Sequence, residues 1–221
     1  MRRFTNWWLH GEYSCTGRCF DIGITTREAL AQFEQSGNPF AGSADPMAAG
    51  NGSLMRLAPV ALRHLHDPAA ARRLAADQSR TTHAAPQAVE ACILFSDLLR
   101  EAILGRPKPE ILASRPWQGD PAIQAIAAGS WRSKPRAAIQ STGYVVHTLE
   151  AALWAVDQTD SFSEAAVLAV NLGGDADTVG AVTGQLAGAL YGMSGIPQRW
   201  LDVLAWRGRL QDAADRLVAL S

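Results

Sequence analysis

The chain has 221 residues, of which 48% are hydrophobic, and this is enough for one sizeable core and a single domain over residues 1–221. Its 20 basic and 21 acidic residues give a net charge of −1, which argues against binding to nucleic acid or to an anionic membrane. With no apolar run long enough to span a membrane, no signal peptide and only three cysteines, the sequence predicts a cytoplasmic protein with reduced thiols.

Apolar residues recur at intervals of three and four along most of the chain, which predicts an all-α fold. In the first half, Gly37-Asn38-Pro39 ends one helix, Pro59 delays or kinks a second, and Asp67-Pro68 caps a third. The helices predicted there cover residues 27–36, 54–65, 67 onward and 86–104. Long loops are predicted at 10–25, 37–53 and 130–141.

In the second half, residues 106–121 contain four prolines and are predicted to be a surface connection with short turns. Helices are predicted over 122–129, 142–157, 163–171, 176–191 and 198–219. Gly180, Gly184 and Gly188 recur at every fourth position of one of them. Glycine lowers helix stability by roughly 1 kcal/mol relative to alanine, so this pattern predicts a central helix that its neighbours approach closely.

The segment from Gly173 to Gly180 is the most informative about chemistry. Two glycines allow a tight turn before a helix, and Asp175, Asp177 and the Thr178 hydroxyl follow. Hard divalent cations prefer such oxygen ligands. The alternative is that Asp175 is a helix N-cap and Asp177 a first-turn acid that complements the helix dipole. Because an acidic pair at the mouth of a buried helix is costly without compensation, we favour a metal site.

Three further segments suggest a binding site, each with a structural alternative. The turn Gly50-Asn51-Gly52-Ser53 opens a helix and suits an anion, or it is an ordinary loop capped by Ser53. His83 follows a cluster of hydroxyl residues that suits a polyhydroxylated ligand, or it is a structural hydrogen bonder. Tyr144 lines a pocket, or it is a core aromatic. Arg56 adds positive charge to the turn, or it pairs with an acid inside the fold.

Together these segments resemble the ADP-ribosylglycohydrolase family, in the same order along the chain. The matching residues are Gly50-Asn51-Gly52-Ser53-Leu54-Met55-Arg56, Thr81-Thr82-His83, Gly143-Tyr144-Val145-Val146 and Gly173-Gly174-Asp175-Ala176-Asp177-Thr178-Val179-Gly180-Ala181. The resemblance covers essentially the whole chain. It implies a compact multi-helix bundle that hydrolyses an N- or O-glycosidic bond to ADP-ribose, on a protein side chain or in a small conjugate.

The resemblance also implies roles for individual residues. Asp175 and Asp177 would be the catalytic carboxylates and, with Thr178, the ligands of two Mg²⁺ ions, or of Mn²⁺. Asn51, Gly52, Ser53 and Leu54 would lie near the diphosphate of ADP-ribose, His83 would contact a ribose, and Tyr144 would border the pocket. The metal would orient the ribose diol and a water for attack at the anomeric carbon.

The sequence departs from the family at one place. The family's N-terminal Thr-Asp-Asp-Thr motif, which supplies the other half of the metal shell, does not occur in residues 1–221. The resemblance therefore implies an N-terminally truncated domain. It also leaves a second interpretation, a non-catalytic ADP-ribose-binding or structural relative with an incomplete metal site.

Overall fold

The computed structural model describes all residues 1–221 and is helical throughout, as predicted. The helices are α1 (Arg2–His10), α2 (Ile24–Ser36), α3 (Gly52–Met55), α4 (Ala58–Arg63), α5 (Pro68–Arg80), α6 (Pro86–Ile103), α7 (Lys108–Ile111), α8 (Pro121–Ala128), α9 (Val145–Asp157), α10 (Phe162–Val170), α11 (Ala176–Tyr191), α12 (Gln198–Val203) and α13 (Arg207–Ala219). Short 3-10 turns occur at Pro46–Ala48, Arg136–Ala138 and Met193–Gly195. No helix is long and apolar enough to cross a membrane.

Helix boundaries follow the local sequence signals at most positions. The Asp67 carboxylate accepts a hydrogen bond from the Ala70 amide, and Pro68 occupies the first turn of α5, as predicted. Gly37 and Gly129 end α2 and α8 in the left-handed conformation that glycine adopts without strain. The predicted helix over 54–65 is interrupted, because Pro59 starts a new helix, α4.

Two features of the helices were not predicted. Residues 2–10, for which no helix was predicted, form α1. The tail predicted as one helix over 198–219 is divided into α12 and α13, because Trp206 adopts a left-handed conformation with φ 60° between them. Such a backbone conformation in a tryptophan is set by tertiary contacts, and no local sequence signal announces it.

A single cluster of 35 buried apolar residues forms the core. Helices α6 and α9 contribute more residues to it than any other helix, and α11 packs against both of them and against α10. The predicted close approach to the glycine positions of α11 occurs at Gly180, where an added Cβ would lie 2.8 Å from Val170 Cγ1. It does not occur at Gly184, which has open space beside it. The neighbour at Gly180 is a side chain rather than another backbone.

Backbone hydrogen bonds between distant loops position the polar segments. The Asn51 amide donates to the Gly143 carbonyl at 3.1 Å, and the Val145 amide donates to the Ala49 carbonyl at 3.0 Å. The Asp175 amide donates to the Ser141 carbonyl at 3.2 Å. These three bonds bring the starts of α3, α9 and α11 together at one end of the core.

Candidate functional site

A cleft of about 870 Å³ opens where the starts of α3, α9 and α11 meet. Its floor contains Asn51, Gly52, Asp175, Asp177 and Thr178. The remaining walls come from α1, from the loop before α2 and its first turn, and from the start of α13, together with Met55, His83 and Gly143. The polar segments singled out in the sequence therefore converge on one concave surface, which is the usual form of a small-molecule site.

The turn before α11 requires glycine for a specific reason. Gly173 and Gly174 both have positive φ, 76° and 59°. A Cβ at Gly174 would lie 2.1 Å from the Ser141 carbonyl oxygen, whereas a Cβ at Gly173 would meet nothing within 4 Å. Gly174 therefore packs directly against the Ser141 carbonyl, immediately before the carboxylates that line the cleft.

Asp175 is the N-cap residue of α11, but its side chain accepts no hydrogen bond from the helix amides. Its Oδ2 instead accepts from Asn51 Nδ2 at 2.7 Å. The same amide nitrogen lies 2.8 Å from Thr148 Oγ1 and 3.4 Å from the Thr142 carbonyl. Asn51 is 7% exposed, so this network holds the Asp175 carboxylate in place from the protein side.

The other oxygen atoms of this turn are uncommitted. The Asp177 carboxylate and the Thr178 hydroxyl make no hydrogen bond within the chain, and both residues line the cleft. Asp175, Asp177 and Thr178 are oxygen donors with unused lone pairs, and they suit part of the shell of a hard cation such as Mg²⁺. No group of three or more His, Cys, Asp or Glu side chains suited to a metal ion occurs in the chain. The remaining ligands of such an ion would therefore come from elsewhere.

His83 lies against the glycine turn and borders the cleft, although it is only 3% exposed. A Cβ at Gly52 would lie 2.8 Å from its Cε1, and one at Gly50 would lie 3.1 Å from its Nε2. Burial, and to a lesser extent the positive charge of Arg56, lower the pKa of His83 from 6.5 to about 4. The imidazole is therefore neutral at pH 7.

Arg56 does not pair with an acid inside the fold, which was one of its two predicted roles. It has no carboxylate partner; its guanidinium donates to the Gln78 side-chain and main-chain oxygens and to the hydroxyls of Thr81 and Thr82. Burial lowers the pKa of Arg56 to about 10. It faces a side cavity of about 470 Å³ that shares walls with the cleft, and its guanidinium lies 5.1 Å from the Phe4 ring centroid.

Three residues predicted to bind substrate lie outside the cleft wall. Ser53 is fully buried, and its Oγ contacts Ser79 Oγ at 2.9 Å and Cys92 Sγ at 3.4 Å. Leu54 belongs to the apolar core. The Tyr144 hydroxyl donates to Gln87 Oε1 at 2.8 Å, and its ring packs against the core. Helical geometry explains the first two, because successive side chains of α3 point in different directions.

Several residues of the cleft wall were not predicted from the sequence. The outer wall of the cleft contains Trp7, for whose segment no element was predicted, Tyr13 and Asp21 from a predicted loop, and Trp206 from a predicted continuous helix. Tyr13, Asp21 and Trp206 are also the non-glycine residues with positive φ in this chain. Strained backbone of this kind concentrates at functional sites, but nothing in the hydrophobic periodicity marks it.

The depressed pKa of His83 predicts a specific acid sensitivity. Between about pH 6.5 and pH 4 the unfolded state binds a proton that the folded state does not, so stability falls as the pH is lowered through this window. The loss attributable to His83 is about 3 kcal/mol. Urea unfolding of the wild type and His83→Gln at pH 7, 6, 5 and 4 measures it. We expect the stability difference between the two proteins to narrow in acid, and a constant difference would contradict the prediction.

The chain matches a known protein family over its whole length. The profile of the ADP-ribosylglycohydrolase family matches residues 1–221. The chain is 46% identical over 211 residues to ADP-ribosylarginine hydrolase Tri1 of Pseudomonas putida, covering 96% of this chain and 57% of that protein. It is 32% identical over 206 residues to the ADP-ribosyl-[dinitrogen reductase] glycohydrolase of Rhodospirillum rubrum, covering 92% and 67% respectively.

A solved structure agrees with these matches. An ADP-ribosylglycohydrolase-related protein complex superimposes with a TM-score of 0.83 and 44% identity, over 90% of this chain and 69% of that chain. The Tri1 protein of Serratia proteamaculans is 42% identical, and the chain spans 59% of its length, so less than two thirds of either Tri1 protein is represented here. From the full-length match of the profile and the agreement in fold, we conclude that this chain belongs to the ADP-ribosylglycohydrolase family.

Proposed function

We propose that this chain carries the ADP-ribose cleft of a hydrolase that cleaves the glycosidic bond between ADP-ribose and an arginine side chain. Its support is the convergence of Asn51, Gly52, His83, Asp175 and Asp177 on one cleft, from segments far apart in sequence. The arginine acceptor is suggested by the relatives named ADP-ribosylarginine hydrolases.

In this proposal Asp175, Asp177 and Thr178 hold Mg²⁺, or Mn²⁺, with the remaining ligands supplied by water and substrate. A bound divalent cation polarises oxygen atoms and lowers the pKa of a coordinated water, which is the chemistry that hydrolysis at an anomeric carbon needs. Asn51 keeps the Asp175 carboxylate oriented through its 2.7 Å hydrogen bond. Gly52 borders the cleft and, having no side chain, leaves room for the His83 ring against the turn, where His83 offers a neutral imidazole to a ribose. The acidic turn and the glycine turn, which are in direct contact, would thus bind neighbouring groups of one ligand.

A second candidate is a non-catalytic relative that binds ADP-ribose. It is favoured by one observation, namely that no group of three metal-binding side chains is assembled in the chain. With fewer ligands, a cation is held more weakly, because Mg²⁺ demands near-octahedral oxygen coordination. Binding of the nucleotide would then depend on the glycine turn and His83, and hydrolysis would be absent.

Calorimetry with ADP-ribose, in the presence and absence of Mg²⁺, separates these candidates when it is combined with an assay of ADP-ribose release from an ADP-ribosylarginine peptide. We expect saturable binding and Mg²⁺-dependent release. Binding without release would support the non-catalytic alternative and contradict the hydrolase. Absence of ADP-ribose binding would contradict both candidates, because each requires the cleft to bind ADP-ribose.

A further inference from the structure

Three side chains form a continuous hydrogen-bonded chain behind the cleft wall. Arg56 Nη2 lies 2.8 Å from Thr82 Oγ1, and Thr82 Oγ1 lies 2.7 Å from His83 Nδ1. Thr82 is fully buried, and its hydroxyl contacts no other polar atom. The arrangement therefore has a small number of possible proton placements, which can be compared directly.

The guanidinium determines the direction of the chain, because arginine can only donate. Thr82 Oγ1 must accept from Arg56 Nη2, and this leaves its single hydroxyl proton to be placed. If Thr82 donates that proton to His83 Nδ1, the donors of Arg56 and Thr82 are both satisfied. The one donor left over is His83 Nε2–H, which is not among the buried atoms without a partner. If His83 Nδ1 carried the proton instead, Thr82 Oγ1 would accept twice and its own proton would be buried without a partner, which costs roughly 1–3 kcal/mol.

The remaining nitrogen of the imidazole faces the ligand side. His83 Nε2 makes no hydrogen bond within the chain, lies against the Gly50 and Gly52 turn, and belongs to a residue that borders the cleft. We propose that Arg56 and Thr82 are positioning residues that fix His83 as the Nε2–H tautomer, so that His83 donates a hydrogen bond from Nε2 to an acceptor oxygen of the ligand.

A fixed Nε2–H gives His83 a more specific role than contact with a ribose. A proton on Nε2 removes the lone pair that a general base would need, so His83 recognises an oxygen acceptor and does not take a proton from the substrate. The lowered pKa of His83 is consistent with this, because the ring stays neutral at pH 7. The identity of the ligand rests on the proposed function, but the tautomer is a property of the free protein.

Long-range ¹H–¹⁵N NMR of ¹⁵N-histidine-labelled full-length chain at pH 7 reports which ring nitrogen carries the proton. Comparison with His83→Gln assigns the signal among the five histidines of the sequence. We expect an Nε2–H pattern in the wild type and in Thr82→Ser. Thr82→Val has a similar volume and cannot donate, so we expect it to release the constraint and give an exchanging mixture of the two tautomers.

Thr81→Val is the matched control. Thr81 Oγ1 also accepts from Arg56 Nη2, at 3.1 Å, but has no hydrogen bond to His83, so its loss should leave the Nε2–H pattern unchanged. An Nδ1–H pattern in the wild type, or an unchanged pattern in Thr82→Val, would overturn the proposal. If Thr82→Val does not fold, the wild-type and Thr82→Ser spectra decide the question alone.

The effect on recognition is measured by calorimetry with ADP-ribose as the probe. Loss of the fixed Nε2 donor should weaken binding about 5- to 30-fold in Thr82→Val, while Thr82→Ser and Thr81→Val stay within about twofold of the wild type. Equal affinity for all variants would overturn the recognition role of His83. If the wild type binds no ADP-ribose, the proposed function fails, and the NMR result still decides the tautomer.

Discussion

Replacing Asp177 by asparagine is expected to reduce Mg²⁺-dependent release of ADP-ribose from an ADP-ribosylarginine peptide on the order of 1,000-fold. The Asp177 carboxylate lines the cleft and makes no internal hydrogen bond, so its charge is available to a cation. Removing a metal ligand sacrifices several kcal/mol of transition-state stabilisation. Because no structural bond is lost, the melting temperature without Mg²⁺ should change little. The stabilisation that Mg²⁺ adds should disappear.

Asp212→Asn is the control for the removal of one negative charge. Asp212 lies on the exposed surface of α13, and its carboxylate contacts no other side chain. The wild type, Asp177→Asn and Asp212→Asn are compared by steady-state kinetics and by the shift in melting temperature that Mg²⁺ causes. Undiminished turnover in Asp177→Asn, or an equal loss in Asp212→Asn, would contradict the role assigned to the turn before α11.

The second large effect is expected from a substitution in the Gly173-Gly174 turn before α11. Gly174→Ala places a methyl group 2.1 Å from the Ser141 carbonyl oxygen in a backbone with φ 59°, so the turn must move. We expect a loss of about 3 kcal/mol in the free energy of unfolding. We also expect a loss of ADP-ribose and Mg²⁺ binding, because Asp175 follows directly and its amide bonds to the same carbonyl.

Gly173→Ala isolates the clash from the backbone strain. Gly173 has a similar φ, 76°, but open space around the added Cβ, so its cost should be about 1–2 kcal/mol from the left-handed conformation alone. Urea denaturation of both variants at pH 7, with calorimetry of ADP-ribose binding, gives the comparison. Equal losses in the two variants would show that the Ser141 contact does not hold the turn.

The sequence predicted the elements of the site more successfully than their connections. Paired carboxylates after two glycines marked the start of α11, and the helical class followed from the periodicity of the apolar residues. The bond from Asn51 to Asp175 joins residues 124 positions apart and could not be read from either segment. The turn at Asn51 suggested an anion site on the backbone, whereas the structure also uses its side chain to orient an acid.

The outer wall of the cleft is the part of the site that the sequence did not predict. Tyr13 and Asp21 lie in a stretch without regular periodicity, and Trp206 interrupts a pattern that is helical on both sides. No local pattern in the sequence distinguishes their positive φ, so periodicity assigns them to a loop or to a helix. Likewise, Ser53 and Leu54 match a motif but face the core, because a motif identifies a segment and not the direction of each side chain.

One wall of the cleft is anchored much less firmly than its floor. Trp206 and Leu210 border the cleft, yet no residue of α13 is buried, and in its contacts with other helices α13 packs chiefly against α4. A helix with so little apolar contact detaches at a small fraction of the free energy of global unfolding. A ligand that touches this wall must hold the helix down, and part of its binding energy is spent on that ordering. Amide hydrogens of α13 should therefore exchange with solvent faster in the ligand-free protein than in the protein with a ligand bound in the cleft.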